Sequence, residues 1–219
     1  MKKIIVVLTL ICSLYGCEQK TCRDDVDYGN LELTNAAKEL NPYTSQNKII
    51  VFKDSLAKEY KFALSNQTLQ TSKNYIPAPC SEDASKMVNY VSKSDFFRLR
   101  LTGIELNMEL YITIGPIPQP NQDGQTGEEL NITNQNDNNL YHRINQKNKN
   151  GETISHTDNS FIVDSMKVLN KTFYQVIVNN PAGYNKSPTY RMGYNKTHGL
   201  VWFEDKSLRK TFVFDRIEN

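Results

Sequence analysis

A chain of 219 residues with 38% hydrophobic, 10% aromatic and 23% charged side chains has an ordinary globular composition, which excludes a polytopic membrane protein, a collagen-like fibre and a fully disordered polymer. Lys and Arg number 26 against 24 Asp and Glu. Lys2 and Lys3 lie in the first 16 positions, so the rest of the chain carries no net charge. Without a basic stripe there is no long-range attraction to phosphate backbones, and nucleic acid is not an expected partner.

In chain order, Lys2 and Lys3 form a positive start, and Ile4 to Leu14 is an almost unbroken apolar run. The run is shorter than the roughly 20 residues that span a bilayer and has the proportions of a secretory h-region. It ends in Leu14-Tyr15-Gly16-Cys17. This tetrapeptide resembles the lipobox of bacterial lipoproteins, in which an aliphatic residue stands three before the cysteine and a small residue directly before it. Leu14, Gly16 and Cys17 fit the pattern, whereas Tyr15 departs from the small or aliphatic residue usual there. The resemblance implies cleavage between Gly16 and Cys17 and a diacylglycerol on the Cys17 thiol. Each buried methylene contributes about 0.8 kcal/mol, so two or three acyl chains hold a domain firmly on a membrane. Glu18 stands where an inner-membrane retention signal would carry Asp, which points to the outer membrane by the same resemblance. The abundance of Lys and Asn with this signal style resembles envelope lipoproteins of the Bacteroidota.

Cys12 leaves with the signal and Cys17 is committed to lipid, which leaves Cys22 and Cys80. Outside the cytoplasm such a pair can close a disulfide, worth roughly 4 kcal/mol for a loop of this length. Two free thiols are the alternative, because pairing needs Cα atoms within about 7 Å. Neither cysteine has a Cys or His at ligand spacing, so no metal or other cofactor is expected.

Residues 17–30 are polar and are expected to form a lipidated tether ahead of one domain, 31–219. Leu31 to Leu40 contains good helix formers and stops at Asn41-Pro42, which predicts one short helix. Ile49 to Phe52, a turn at 54–58, and alternating Tyr60, Phe62 and Leu64 predict a hairpin. Tyr75 to Pro79 reads as a Pro-broken loop leading to Cys80, and Met87 to Val91 as a short strand. The strongest alternation is Phe97, Leu99, Leu101 and then Leu106, Met108, Leu110, Ile112, Ile114, with polar neighbours throughout. Gly115-Pro116-Ile117-Pro118-Gln119-Pro120 ends it, since proline cannot donate to a ladder. The Asn-rich stretch that follows predicts a mobile loop over 115–139. Strands resume from Leu140, with Asn150-Gly151 as a turn, and the clearest are 161–163, 173–178, 189–194, 200–203 and 211–214. Tyr194 to Phe203 resembles a C-terminal hairpin common in Bacteroidota lipoproteins of uncharacterised function. About ten short strands and one helix predict an all-β, single antiparallel domain: a barrel, half-barrel or sandwich.

Chemistry-bearing residues are sparse. His142, His156 and His198 are unpaired at i+2 or i+4 and read as surface positions. No Gly-x-Ser-x-Gly elbow is present, and the acids are scattered. Asn134 to Asn139 lacks the alternating Asp and the Gly of a calcium loop. Trp202, between Val201 and Phe203, reads as core. The sequons at Asn66, Asn131, Asn170 and Asn195 carry no meaning in a bacterial chain. Asp54-Ser55-Leu56 and Asp164-Ser165-Met166 resemble the short O-glycosylation motif of Bacteroidota. The resulting expectation is a non-enzymatic lipoprotein of the envelope, on its periplasmic or surface face. It would be held by N-terminal acyl chains and act as a binding or structural module toward another envelope protein, a glycan or a lipid. A carrier of a hydrophobic ligand in a barrel cavity is the first rival, and a hydrolase with a cryptic site the second.

Overall fold

The computed structural model describes residues 26–43, 48–65, 69–79, 87–116, 126–134, 138–147, 160–179 and 190–218. Gly16, Cys17, Cys22, Cys80, His156 and the Asn150-Gly151 turn lie outside them. In chain order the elements are β1 (Val26–Leu31), α1 (Asn35–Lys38), β2 (Ile49–Lys53), β3 (Glu59–Ser65), β4 (Leu69–Pro79), β5 (Met87–Gly103) and β6 (Glu109–Pro116). Then follow β7 (Thr126–Thr133), β8 (Asn138–Lys147), β9 (Ser160–Val168), β10 (Lys171–Asn179), β11 (Tyr190–Asn195), β12 (Gly199–Asp205) and β13 (Lys210–Glu218).

These strands form one sheet in the order β8-β7-β6-β5-β3-β2-β13-β12-β11-β10-β9, with β1 and β4 added to β5. The sheet curls until its two ends meet, as a nearly closed barrel. The seam is joined by side chains. Asn179 of β10 donates from Nδ2 to the Asn139 carbonyl of β8 at 3.0 Å, and its Oδ1 accepts the Met192 amide at 2.9 Å. His142 Nδ1 of β8 lies 3.0 Å from Ser160 Oγ of β9.

The inward face follows the period-2 alternation. Leu64, Leu101 and Leu110 are successive register partners, as are Ile112, Ile132 and Leu140. All except Leu64 (2%) are fully buried. Phe52 meets Phe62 and Phe203 edge-on, at 5.4 and 5.2 Å between ring centres, a favoured aromatic geometry. The segment around α1 fills the rest. Thr34 caps the helix and is held by Glu128 of β7, its amide and hydroxyl each donating to a carboxylate oxygen at 2.5 Å. Leu33, Ala37 and Tyr43 are buried in the same apolar cluster. Tyr194 Oη donates to the Leu40 carbonyl at 2.6 Å, which ties this segment to β11.

Two elements leave the barrel wall. The β9-β10 hairpin bends at Gln175, whose φ is +49°, and covers Trp202: Trp202 Nε1 donates to Met166 Sδ at 3.1 Å. The outer part of β5 pairs with β4 on one edge and, in parallel, with β1 on the other.

Several expectations need correcting. The 115–139 loop contains β7, an inner strand paired with both β6 and β8. Leu130 and Ile132, separated by Asn131, give it an apolar face, and neighbours on both sides supply the ladder that its polar composition hid. The 17–30 tether ends in β1, so Val26 to Asn30 belong to the sheet, and the pairing there is parallel. Tyr75 to Pro79 is strand. β4 pairs with β5 alone, so alternate amides point away from the ladder, and Pro77 and Pro79 fall at alternate positions where a missing donor is tolerated. The predicted helix shrinks to one turn, and the strands number thirteen among the described residues.

Candidate binding surface

The outward face of β5 to β8 concentrates arginine, tyrosine and amide side chains. Register places them in rows across neighbouring strands. Arg98, Thr113, Asn131 and Tyr141 form one row, and Arg100, Tyr111 and Thr133 a second. Gly115, Glu129 and Arg143 form a third. Phe96 lies against Gly115, where a Cβ would come 3.0 Å from that of Phe96. With strands about 4.8 Å apart, a row across four strands is about 14 Å long.

Three guanidiniums lie near aromatic rings, Arg98 near Phe96 at 5.1 Å, Arg100 near Tyr111 at 5.9 Å and Arg143 near Tyr141 at 5.4 Å. Two are also held by phenols and acids. Arg100 is paired with Glu109, which accepts from Tyr111 Oη at 2.7 Å. Arg143 Nε donates to Tyr141 Oη at 3.2 Å. The Arg100 hydrogen bond, followed by that of Tyr111, holds the Glu109 carboxyl below its usual range. Burial pushes Glu129 up, partly offset by a hydrogen bond from Tyr141, and burial also pushes the Tyr141 phenol up to about 12. Arg100 Nε and Asn131 Oδ1 are buried without hydrogen-bond partners. The surface therefore offers planar stacking groups, fixed cations and unmet polar capacity, which suits non-covalent recognition.

The residues singled out from sequence have structural roles where they are described. Trp202 is core, 5% exposed. His198 lies in the β11-β12 turn, half-buried between Phe173 and Phe214 and stacked on the latter at 5.0 Å between ring centres. Burial, then the nearby Lys171 charge, lowers its pKa. His142 contacts Ser160, but a hydrolase needs a carboxylate behind the imidazole and donors for an oxyanion, and the pair alone supplies neither. Asp54 of the first O-glycosylation-like triplet shapes the β2-β3 turn, accepting from the Leu56 and Lys58 amides. Met166 of the second covers Trp202. Asn139, at the end of the oxygen-rich stretch, is buried in the barrel seam.

Asp215 gathers Lys171, Lys53 and Arg216 at 2.8, 3.0 and 2.7 Å, fastening the β9-β10 hairpin to β13. These pairs have the character of a structural clamp. A polar cleft of about 200 Å³ lies between β1, β4 and β5, lined by Asn30, Leu31, Glu32, Thr71, Lys93 and Asp95. Among the described residues there is no group of His, Cys, Asp and Glu suited to a metal, and no helix is long and apolar enough to cross a membrane.

No protein family, curated protein or solved structure matches the chain. Sequence alternation alone placed Arg98, Arg100, Tyr111 and Thr113 outward on their strands. It does not mark Glu129 and Asn131, because β7 carries only Leu130 and Ile132 as apolar positions, and it gives no means of aligning the four strands into rows.

Proposed function

We propose that this protein is a membrane-anchored envelope lipoprotein, acylated at Cys17, that acts as a non-catalytic binding module through the outward face of β5 to β8. The observation that carries this reading is the contrast between the barrel's two faces. The inner face is filled. Tyr43, Phe52, Phe62, Phe203 and Phe212 leave no surface that water could touch, which supports a packed core over a cavity for a hydrophobic ligand. The outer face of β5 to β8 keeps Arg98 exposed and Tyr111, Asn131, Tyr141 and Arg143 half-exposed.

The outer membrane is the proposed location, by the lipobox reading of Leu14 to Cys17 with Glu18 after it. Two experiments test the proposal. Cys17→Ala abolishes labelling by a fatty-acid analogue and frees the protein from the membrane fraction, and unchanged labelling rejects the anchor. Denaturing extraction of natively purified protein, with the anchor accounted for, releases no stoichiometric lipid. Release of about one lipid per chain replaces the module with the carrier.

A further inference from the structure

The outer part of β5 forms the centre of a three-stranded blade. Phe97 to Thr102 pair with β6, and Arg100 to Gly103 with β3, inside the barrel wall. Met87 to Phe97 instead pair with β4, and Tyr90 to Ser94 with β1 on the opposite edge. At about 3.3 Å per residue, the stretch from Met87 to Phe97 is about 33 Å long. Because β1 runs parallel to β5, it begins toward the blade's outer end, where Val26 and Ile76 flank Tyr90, and runs inward to the barrel. The chain before Val26 therefore joins the molecule on the blade. Eight residues, nine Cα steps, separate Cys17 from Val26, a reach of at most about 32 Å.

The blade carries a face suited to a lipid surface. Tyr75 is 57% and Met87 58% exposed. Tyr75 pairs with Val91, and Met87 lies four residues before Val91 on the same strand, so the two share one face. Lys73 and Lys93 are register partners on that face, and Lys73 Nζ lies 5.1 Å from the Tyr75 ring centre. An exposed aromatic beside lysines and an apolar side chain is the composition of a membrane interface: the ring sits at headgroup level and each ammonium reaches a lipid phosphate.

We infer that this face of the blade lies on the headgroups of the membrane that holds the anchor, with the β2-β3 and β12-β13 turns at the end of the barrel remote from the blade. The inference rests on the acyl anchor proposed above. The occupant is set by chain connectivity: the apolar run and Cys17 enter the fold through β1, and the exposed Tyr-Met-Lys face lies on the sheet that β1 joins.

The test uses the full acylated protein in vesicles of phosphatidylethanolamine and phosphatidylglycerol, with acyl chains brominated near the glycerol or left unmodified. Native Trp202, buried in the barrel, gives a constant background. Tyr75→Trp and Met87→Trp each add emission that bromine reduces about twofold or more, whereas emission added by Leu56→Trp in the β2-β3 turn is unchanged. Two separate positions guard against one variant's misfolding. Vesicle flotation reports the anchor independently. Protein that floats but shows equal quenching at 56, 75 and 87, or none at 75 and 87, overturns the blade contact and leaves the anchor standing. Protein that does not float overturns both.

Discussion

The phenol oxygen of Tyr43 accepts the backbone amide of Leu200 at 2.9 Å, and the same oxygen lies where a side chain on Gly199 would begin, 2.0 Å from an ideal Cβ. The contact joins the segment after α1 to the β11-β12 turn. Burial pushes the Tyr43 phenol well above its ordinary pKa, so it stays protonated. Gly199 is required twice over, for this approach and for its φ of +77°.

Gly199→Ala is expected to cost about 3 kcal/mol or more, because strain and overpacking act together. Tyr43→Phe is expected to cost about 1–3 kcal/mol by leaving the buried Leu200 amide unpaired. The double variant should lose less than the sum, since removing the oxygen relieves part of the clash. Urea unfolding measures all three, and a loss below about 1 kcal/mol for Gly199→Ala would show that the turn shifts freely.

Asn179 closes the barrel with a donor and an acceptor that no apolar residue can supply. Asn179→Ala removes the buried bonds to the Asn139 carbonyl and the Met192 amide, at an expected cost of about 2–4 kcal/mol. Ser160→Ala removes the half-buried contact to His142 and should cost about 1 kcal/mol. Hydrogen exchange should speed up first along β8, β10 and β11 in Asn179→Ala. Unchanged protection there would mean that the backbone holds the seam without this amide.

Stability should depend on acid in a specified direction. Glu59, Glu109, Asp215 and Glu218 are held below their usual range, chiefly by Arg216, Arg100, Lys171 and Lys61 respectively. Their stabilisation is full above the unfolded carboxyl values near about 4 and is lost as pH falls through the lower folded values. The melting temperature is therefore expected to be level from neutral pH to about 5 and to fall below about 4. Asp215→Asn should lower the neutral value and flatten the acid limb. Glu129 acts in the opposite sense. Burial raises its pKa, so its favourable contribution is present in acid and lost as pH rises. Glu129→Gln should raise the melting temperature at pH 7 by a few degrees and leave it unchanged near pH 3. A lower value at pH 7 would show that the carboxylate is better paired than its burial indicates.

Two deletions test the place of β7 in the fold. Removing residues 118–124 with a short Gly-Ser replacement should shift the melting temperature by only a few degrees, because closure entropy varies slowly with length. Removing 118–138 also takes out Leu130 and Ile132, each worth about 2–5 kcal/mol, and breaks the ladders to β6 and β8. That variant should not fold. Equal melting temperatures for the two would show that β7 is dispensable.

Alternation of apolar and polar residues was legible from sequence alone wherever it ran long, as in Phe97 to Leu101 and Leu106 to Ile114. It was also legible in the paired aromatics of 49–64 and 200–214. These segments have one dry face and one wet face whatever strand lies beside them, so the all-β class and much of the inward set follow from local pattern. β7 and the outer half of β4 were hidden because Gly127, Glu128 and Asn131 in the one and Pro77 and Pro79 in the other are locally poor strand formers, and neighbouring backbone makes them strands. The parallel entry of β1, the Tyr43-Gly199 contact and the Asn179 seam join residues far apart in sequence, which no local periodicity encodes. The rows from Arg98 to Tyr141 needed the register of four strands, and register is fixed by the packing of the whole inward face. Sequence thus determined which side of each strong strand faces water. Tertiary structure decided which strands lie side by side, because pairing depends on the shared burial of faces drawn from distant parts of the chain.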